Sequence, residues 1–182
     1  MTLDELRIDI AKGQKKGIPF IGASVIIWGL IAIVTRLDIP IGTKNILVFC
    51  CSCPLMPLAM LVGRIIKVDI FSKSNPLSNV GFLFTLNQFL YILIVMWVFR
   101  AVPEKMVMVY AMVFGAHLLP YSWLYKSPAY RIAAIMLPII ALVVGQLAPS
   151  TILAIVFMLL EIVFVFVLRT EVKALGKESL SC

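Results

Sequence analysis

The chain has 182 residues, of which 62% are hydrophobic and 14% charged, with a formal net charge of +7. Soluble globular domains carry about 45–50% apolar and about 25% charged residues, so one soluble domain could not keep this composition in water. Membrane integration is the first expectation. Nucleic-acid binding is set aside, because basic residues gathered in loops on one side of a bilayer account for the charge.

In chain order, the first feature is Thr2-x-x-Glu5, which has the form of a capping box. Leu3, Leu6 and Ile10 then share one helical face, so residues 1–16 are expected to form a short amphipathic helix lying on the inner leaflet. A helix crossing the hydrocarbon core needs about 20 mostly apolar residues. Six stretches qualify, at about residues 17–35, 45–65, 80–99, 106–124, 132–146 and 150–168. The first is read as an uncleaved anchor, because Arg36-Leu37-Asp38-Ile39-Pro40 offers no small-residue cleavage site after it. Ser72-Lys73-Ser74-Asn75-Pro76 reads as a turn, and Pro149 marks a tight hairpin between the last two spans.

With the N-terminus inside, twelve basic residues fall on the cytoplasmic side, and only Arg36, Lys44, Arg100 and Lys105 on the other. That asymmetry in short loops sets both termini in the cytoplasm. The expected fold is therefore all-α: a six-helix integral membrane bundle at 17–168, a cytoplasmic N-terminal segment at 1–16 and a cytoplasmic tail at 169–182. The expected location is the plasma membrane.

Polar side chains are costly in hydrocarbon and usually face a protein interior or a wet cavity. Among the nine acids only Glu161 lies inside a span, as do the single histidine, His117, and the amide pair Asn87-Gln88. Counted from the cytoplasmic ends, Ser24, Asn87, His117 and Glu161 each lie about seven residues deep. At 1.5 Å rise per residue that is roughly 10 Å below the inner edge of the core. Pro57 and Pro138 fall near the same level and are expected to break their helices. Tyr110, His117 and Tyr121 share a face of the fourth span, and Asn87 and Tyr91 share one of the third. These parts could build a cavity open to the cytoplasm, with Glu161 as proton or cation acceptor, His117 as its partner, and Asn87, Gln88 and Tyr121 positioning a solute. An acid that takes up and releases a proton there motivates proton-linked transport. The plainer alternative is that Asn87, Gln88 and His117 are interhelical hydrogen-bonding glue in a non-catalytic membrane partner or scaffold protein.

A third reading rests on Cys50-Cys51-Ser52-Cys53-Pro54 near the outer face. Cys50 and Cys53 have the C-x-x-C spacing of thiol–disulfide oxidoreductases. Such enzymes need a second pair to exchange with, and only Cys51 and Cys182 remain. Cysteine as a small packing residue is the competing account. One histidine excludes an H-E-x-x-H protease, and no Walker-type loop is present. No G-x-S-x-G or arginine ladder occurs either. No cofactor or metal is expected, and an enzyme is not the default. Ala111-x-x-x-Gly115 would let a neighbouring helix approach closely. One six-span bundle leaves little room for a substrate path, so a homodimer is an option.

Asn75-Pro76-Leu77, Leu86-Asn87-Gln88 and the run from Phe114-Gly115-Ala116-His117 through Leu118-Leu119-Pro120-Tyr121-Ser122-Trp123-Leu124-Tyr125-Lys126-Ser127 resemble an uncharacterised family of small multi-pass membrane proteins of Gram-positive bacteria. The resemblance covers most of the chain. It implies a bacterial cytoplasmic membrane, and brings no activity, substrate or cofactor.

Overall fold

Thr2 opens the first helix, α1 (Leu3–Gly13), with both halves of the expected capping box: its Oγ1 accepts from the Glu5 amide at 3.3 Å, and its own amide donates to Glu5 Oε2 at 2.8 Å. The expected apolar face of this helix is only partly covered: Leu3 is exposed and Leu6 half-buried. Ile10 and Ala11 are buried against the protein itself, and Asn75 donates at 2.8 Å to both the Leu6 carbonyl and Asp9. Arg7 donates from Nε to the Trp123 carbonyl at 2.8 Å and lies 4.8 Å over the Trp123 ring. The helix is thus docked on the bundle through hydrogen bonds to Asn75 and to the Trp123 carbonyl.

The computed structural model describes residues 1–72 and 74–178; Lys73 of the expected turn and Cys182 lie outside the described residues. Beyond α1 come α2 (Ile18–Arg36), α3 (Ile41–Ser52), α4 (Leu55–Ile65), α5 (Ser78–Ala101), α6 (Met106–Ala116), α7 (Leu119–Leu124), α8 (Pro128–Leu147) and α9 (Ser150–Glu178). Short 3-10 turns at Lys15–Gly17 and Pro103–Lys105 lead into α2 and α6. Among the described residues, six helical stretches are long and apolar enough to cross a membrane: Lys15–Arg36, Ile41–Ile65, Ser78–Ala101, Pro103–Leu124, Pro128–Leu147 and Ser150–Gly176.

Two of the six are broken, at places other than those expected. Pro138 sits inside an unbroken α8. Pro57 falls in the first turn of α4, and the break lies before it at Cys53-Pro54, between α3 and α4. A proline ring clashes with the carbonyl four residues earlier, so the disruption appears one turn N-terminal to Pro57. The same rule explains a break the sequence reading missed: Pro120 disrupts the chain at His117-Leu118, between α6 and α7. Pro138 instead meets Gly115 of α6, where an added Cβ would lie 2.6 Å from the proline Cδ. The small-residue pattern ending in Gly115 therefore serves the close α6–α8 contact.

The centre of the fold is the antiparallel pair α2 and α9. Buried positions on α2 include Ile21, Ser24, Trp28, Ile31 and Thr35, and on α9 Ala154, Phe157, Glu161, Phe164 and Leu168. Both series repeat every 3.5 residues on average, the spacing that keeps one seam of each helix against its partner. Trp28 meets Phe157 with ring centroids 4.7 Å apart, and one turn further along Ser24 meets Glu161. At the end of the seam Lys16 meets Glu171, which brings the N- and C-terminal segments to the same end of the bundle. In contrast, α5 lies at the periphery, with Phe82, Phe89, Leu93 and Trp97 exposed.

Candidate functional site

Glu161 occupies a core position of the α9 seam, and its side chain has no solvent exposure. Its Oε2 lies 2.7 Å from Ser24 Oγ, while Oε1 has no hydrogen-bond partner among the described residues. Ser24 Oγ is also 2.7 Å from the carbonyl of Ile21, one turn back on α2. A serine hydroxyl has a single hydrogen. Donated to Ile21, it leaves the contact with Glu161 to be filled by a hydrogen on the carboxyl group. Donated to a carboxylate, it releases the Ile21 carbonyl. The geometry accommodates both arrangements, and they differ by one proton.

Aromatic rings surround this pair along α9. One turn toward the far end, Phe157 packs on Trp28, and both contact Phe114 of α6 at centroid distances of 6.5 and 5.8 Å. Toward the terminal end, Phe164 meets Tyr130 of α8 at 4.9 Å, and Tyr130 contacts Tyr121 and Tyr125 at 6.0 and 5.7 Å. His117 completes the series between Phe114 and Tyr121, at 5.3 and 6.1 Å.

The expected partnership of His117 with Glu161 is not found. The ring Nδ1 of His117 bonds the Phe114 carbonyl, and the two side chains share no hydrogen bond. The reason is the break after Ala116, which leaves His117 beside the last turn of its own helix, where a carbonyl is within reach. Tyr110 packs on Trp28 at 5.7 Å and bonds Ser52 at 2.6 Å, and Tyr121 bonds Thr85 of α5 at 2.9 Å. Asn87 donates to Tyr91 at 2.8 Å, as their shared face predicts, while Gln88 is half-buried. Asn87, Gln88 and Tyr91 lie on peripheral α5, while Tyr110, His117 and Tyr121 line α6 and α7 and reach the α2–α9 seam through ring contacts rather than hydrogen bonds. Two surface clefts lie at the terminal end, and Glu161 lines neither.

The sequence reading missed Glu171, which continues the α9 seam beyond Leu168. Its Oε2 is 2.7 Å from Lys16 Nζ and accepts from Ser127 Oγ at 2.6 Å; its Oε1 accepts from the Ala129 amide at 3.0 Å. Ser127 caps α8, accepting from the Tyr130 amide at 3.3 Å. Tyr130 donates to the Lys16 carbonyl at 2.9 Å, and Tyr125 to Gln14 at 2.8 Å. Burial raises the Tyr125 phenol well above its ordinary range, which keeps it a neutral donor. This network holds Lys15, Lys16 and Gly17 at φ values of 44°, 51° and 70°. Two lysines in left-handed conformation cost about 1–3 kcal/mol each and persist only where surrounding contacts over-determine them.

A model of a family of unknown function (DUF7010) matches residues 3–171. The chain belongs to that family. The DUF7010 match takes in both carboxylates of the α9 seam, Ser24 and all of the polar residues of α5 and α6 described above. No curated protein and no solved structure matches the chain.

Cys50, Cys51 and Cys53 of this DUF7010 member are free thiols beside the α3–α4 break; Cys50 and Cys53 are exposed and Cys51 half-buried. Among the described residues, no group of three or more His, Cys, Asp or Glu side chains is placed to hold a metal ion.

Proposed function

We propose that this protein is a small proton-linked carrier of a solute or ion in a bacterial plasma membrane, seen in a closed conformation with both termini in the cytoplasm. One observation carries the reading: Glu161 is fully buried in an apolar helical bundle with one carboxyl oxygen hydrogen-bonded and the other unpartnered. A charged residue at a span's centre costs about 2.5–3.5 kcal/mol on insertion scales, so acids there are rare and usually functional. Structural glue would bond both oxygens; Glu161 bonds one.

In this scheme Ser24 shares the proton of Glu161, and the rings of Trp28, Phe157, Tyr130 and Phe164 exclude water on either side of it. The Asn87–Tyr91 pair, Gln88, Tyr121 and His117 offer polar groups to a solute on the α5–α6 side. The breaks at Cys53-Pro54 and His117-Leu118 free backbone carbonyls within two spans, a feature of helices that line transport sites.

The test uses the purified protein in liposomes loaded with a pH-sensitive dye and given a sodium or potassium gradient. Wild-type protein is expected to move protons against the cation, and Glu161→Gln to abolish that movement while eluting as the same folded species. Infrared difference spectra should show a Glu161 carboxyl band that responds to bulk pH. Dye traces matching empty liposomes, together with a carboxyl band that ignores bulk pH, would overturn the proposal.

A further inference from the structure

The second feature of note is a cleft at the terminal end, independent of Glu161 and of any transport. It has a volume of about 320 Å³ and is lined by Lys15, Ile18, Ile66, Arg169, Val172 and Lys173. Three cations line it, none with a carboxylate partner among the described residues, and the Arg169 guanidinium also lies 5.8 Å over the Phe166 ring. The nearest acid in sequence, Glu171, is fully engaged by Lys16, Ser127 and the Ala129 amide. Arg169 and Lys173 are one turn apart on α9 and share a face. Lys15 is held in place by its left-handed backbone and by a 2.6 Å bond from Nζ to the Ile66 carbonyl.

The level of the cleft identifies what it meets. Ile18 begins α2, Ile66 follows the last residue of α4, and Arg169 follows Leu168, the last fully buried apolar residue of α9. The apolar run of α9 ends at Leu168 and basic charge begins at Arg169, the pattern expected where a span leaves hydrocarbon. The floor is apolar, through Ile18, Ile66 and Val172. Beside it Ile65 and Phe166 point outward, at 73% and 59% exposure. A free inorganic anion would use the cations and leave the floor and rim bare, whereas a phospholipid uses both.

We infer that the Lys15–Arg169–Lys173 cleft binds the phosphate headgroup of an anionic phospholipid, with the glycerol on Ile18, Ile66 and Val172 and the acyl chains running along Ile65 and Phe166. Unpaired cations between helices at the membrane surface attract such headgroups, and each lysine or arginine there contributes a roughly fivefold share of the affinity.

Native mass spectrometry of the delipidated full-length protein, titrated separately with phosphatidylglycerol and phosphatidylcholine, tests this. One phosphatidylglycerol should be retained in strong preference to phosphatidylcholine, and Arg169→Gln/Lys173→Gln should weaken it about 30-fold. Both side chains are exposed, so the double variant should elute as the wild type does. Lys12→Gln, which removes an exposed charge elsewhere on the same end, should leave binding unchanged. Equal binding of the two lipids, an unaffected double variant, or an equal loss in Lys12→Gln would overturn the assignment. Displacement of the lipid by millimolar inorganic phosphate would overturn it in favour of a free anion.

Discussion

Glu161 and Glu171 lie ten residues apart on the same seam of α9, about 15 Å along the helix axis. Glu171 accepts from an ammonium, a hydroxyl and a backbone amide. Glu161 has a single hydroxyl for company. Glu171 ties three segments of chain together: the turn before α2, the capped start of α8 and α9 itself. Glu161 ties together only two helices that already pack through their apolar side chains. A carboxylate saturated with donors stabilises the arrangement of the chain, while one left half-bonded in an apolar seam is available for a change of proton.

Stability measurements separate the two. Glu171→Ala leaves the Lys16 ammonium buried without its counter-charge, so thermal unfolding in detergent should show a loss of about 3–5 kcal/mol. Replacing Lys16 by Met alongside Glu171→Leu should recover most of it; failure to recover would mean that the hydrogen bonds to Ser127 and Ala129 dominate. Ser24→Ala strips Glu161 of its one partner and should cost about 1–3 kcal/mol in the same assay. Glu161→Leu should show the smallest change, within about 1 kcal/mol of wild type or more stable, because a well-packed apolar residue replaces a half-bonded acid. A large destabilisation by Glu161→Leu would make the two carboxylates alike and assign Glu161 to structure.

What the sequence made legible was depth. Twenty-residue apolar runs located five of the six long helices to within a few residues and stopped short of the last, which continues from residue 168 to Glu178; counting the rise per residue put Ser24 and Glu161 at one level, where they are hydrogen-bonded. The i,i+4 spacing of Asn87 and Tyr91 likewise became a bond. Rotation about each helix axis was not legible, because it depends on which helices become neighbours. His117 has the right depth to meet Glu161 but bonds the Phe114 carbonyl of its own helix instead. Glu171 and Lys16 looked like part of a polar tail and a basic flank, since apolar character ends near them. The repeat through Ala154, Phe157, Glu161, Phe164 and Leu168, extended by three residues, does reach Glu171, and that signal was available. The break near Pro57 was misplaced for a simpler reason: a proline acts on the carbonyl four residues before it, whereas Pro138 leaves α8 unbroken.

Trp28 sits one turn from Ser24, almost without exposure, between Phe114, Phe157 and Tyr110. Trp97 and Trp123 are at 68% and 43% exposure. Once those two are exchanged for phenylalanine, the remaining indole becomes a built-in fluorophore, and the colour of its emission reports directly whether water enters beside the carboxyl group.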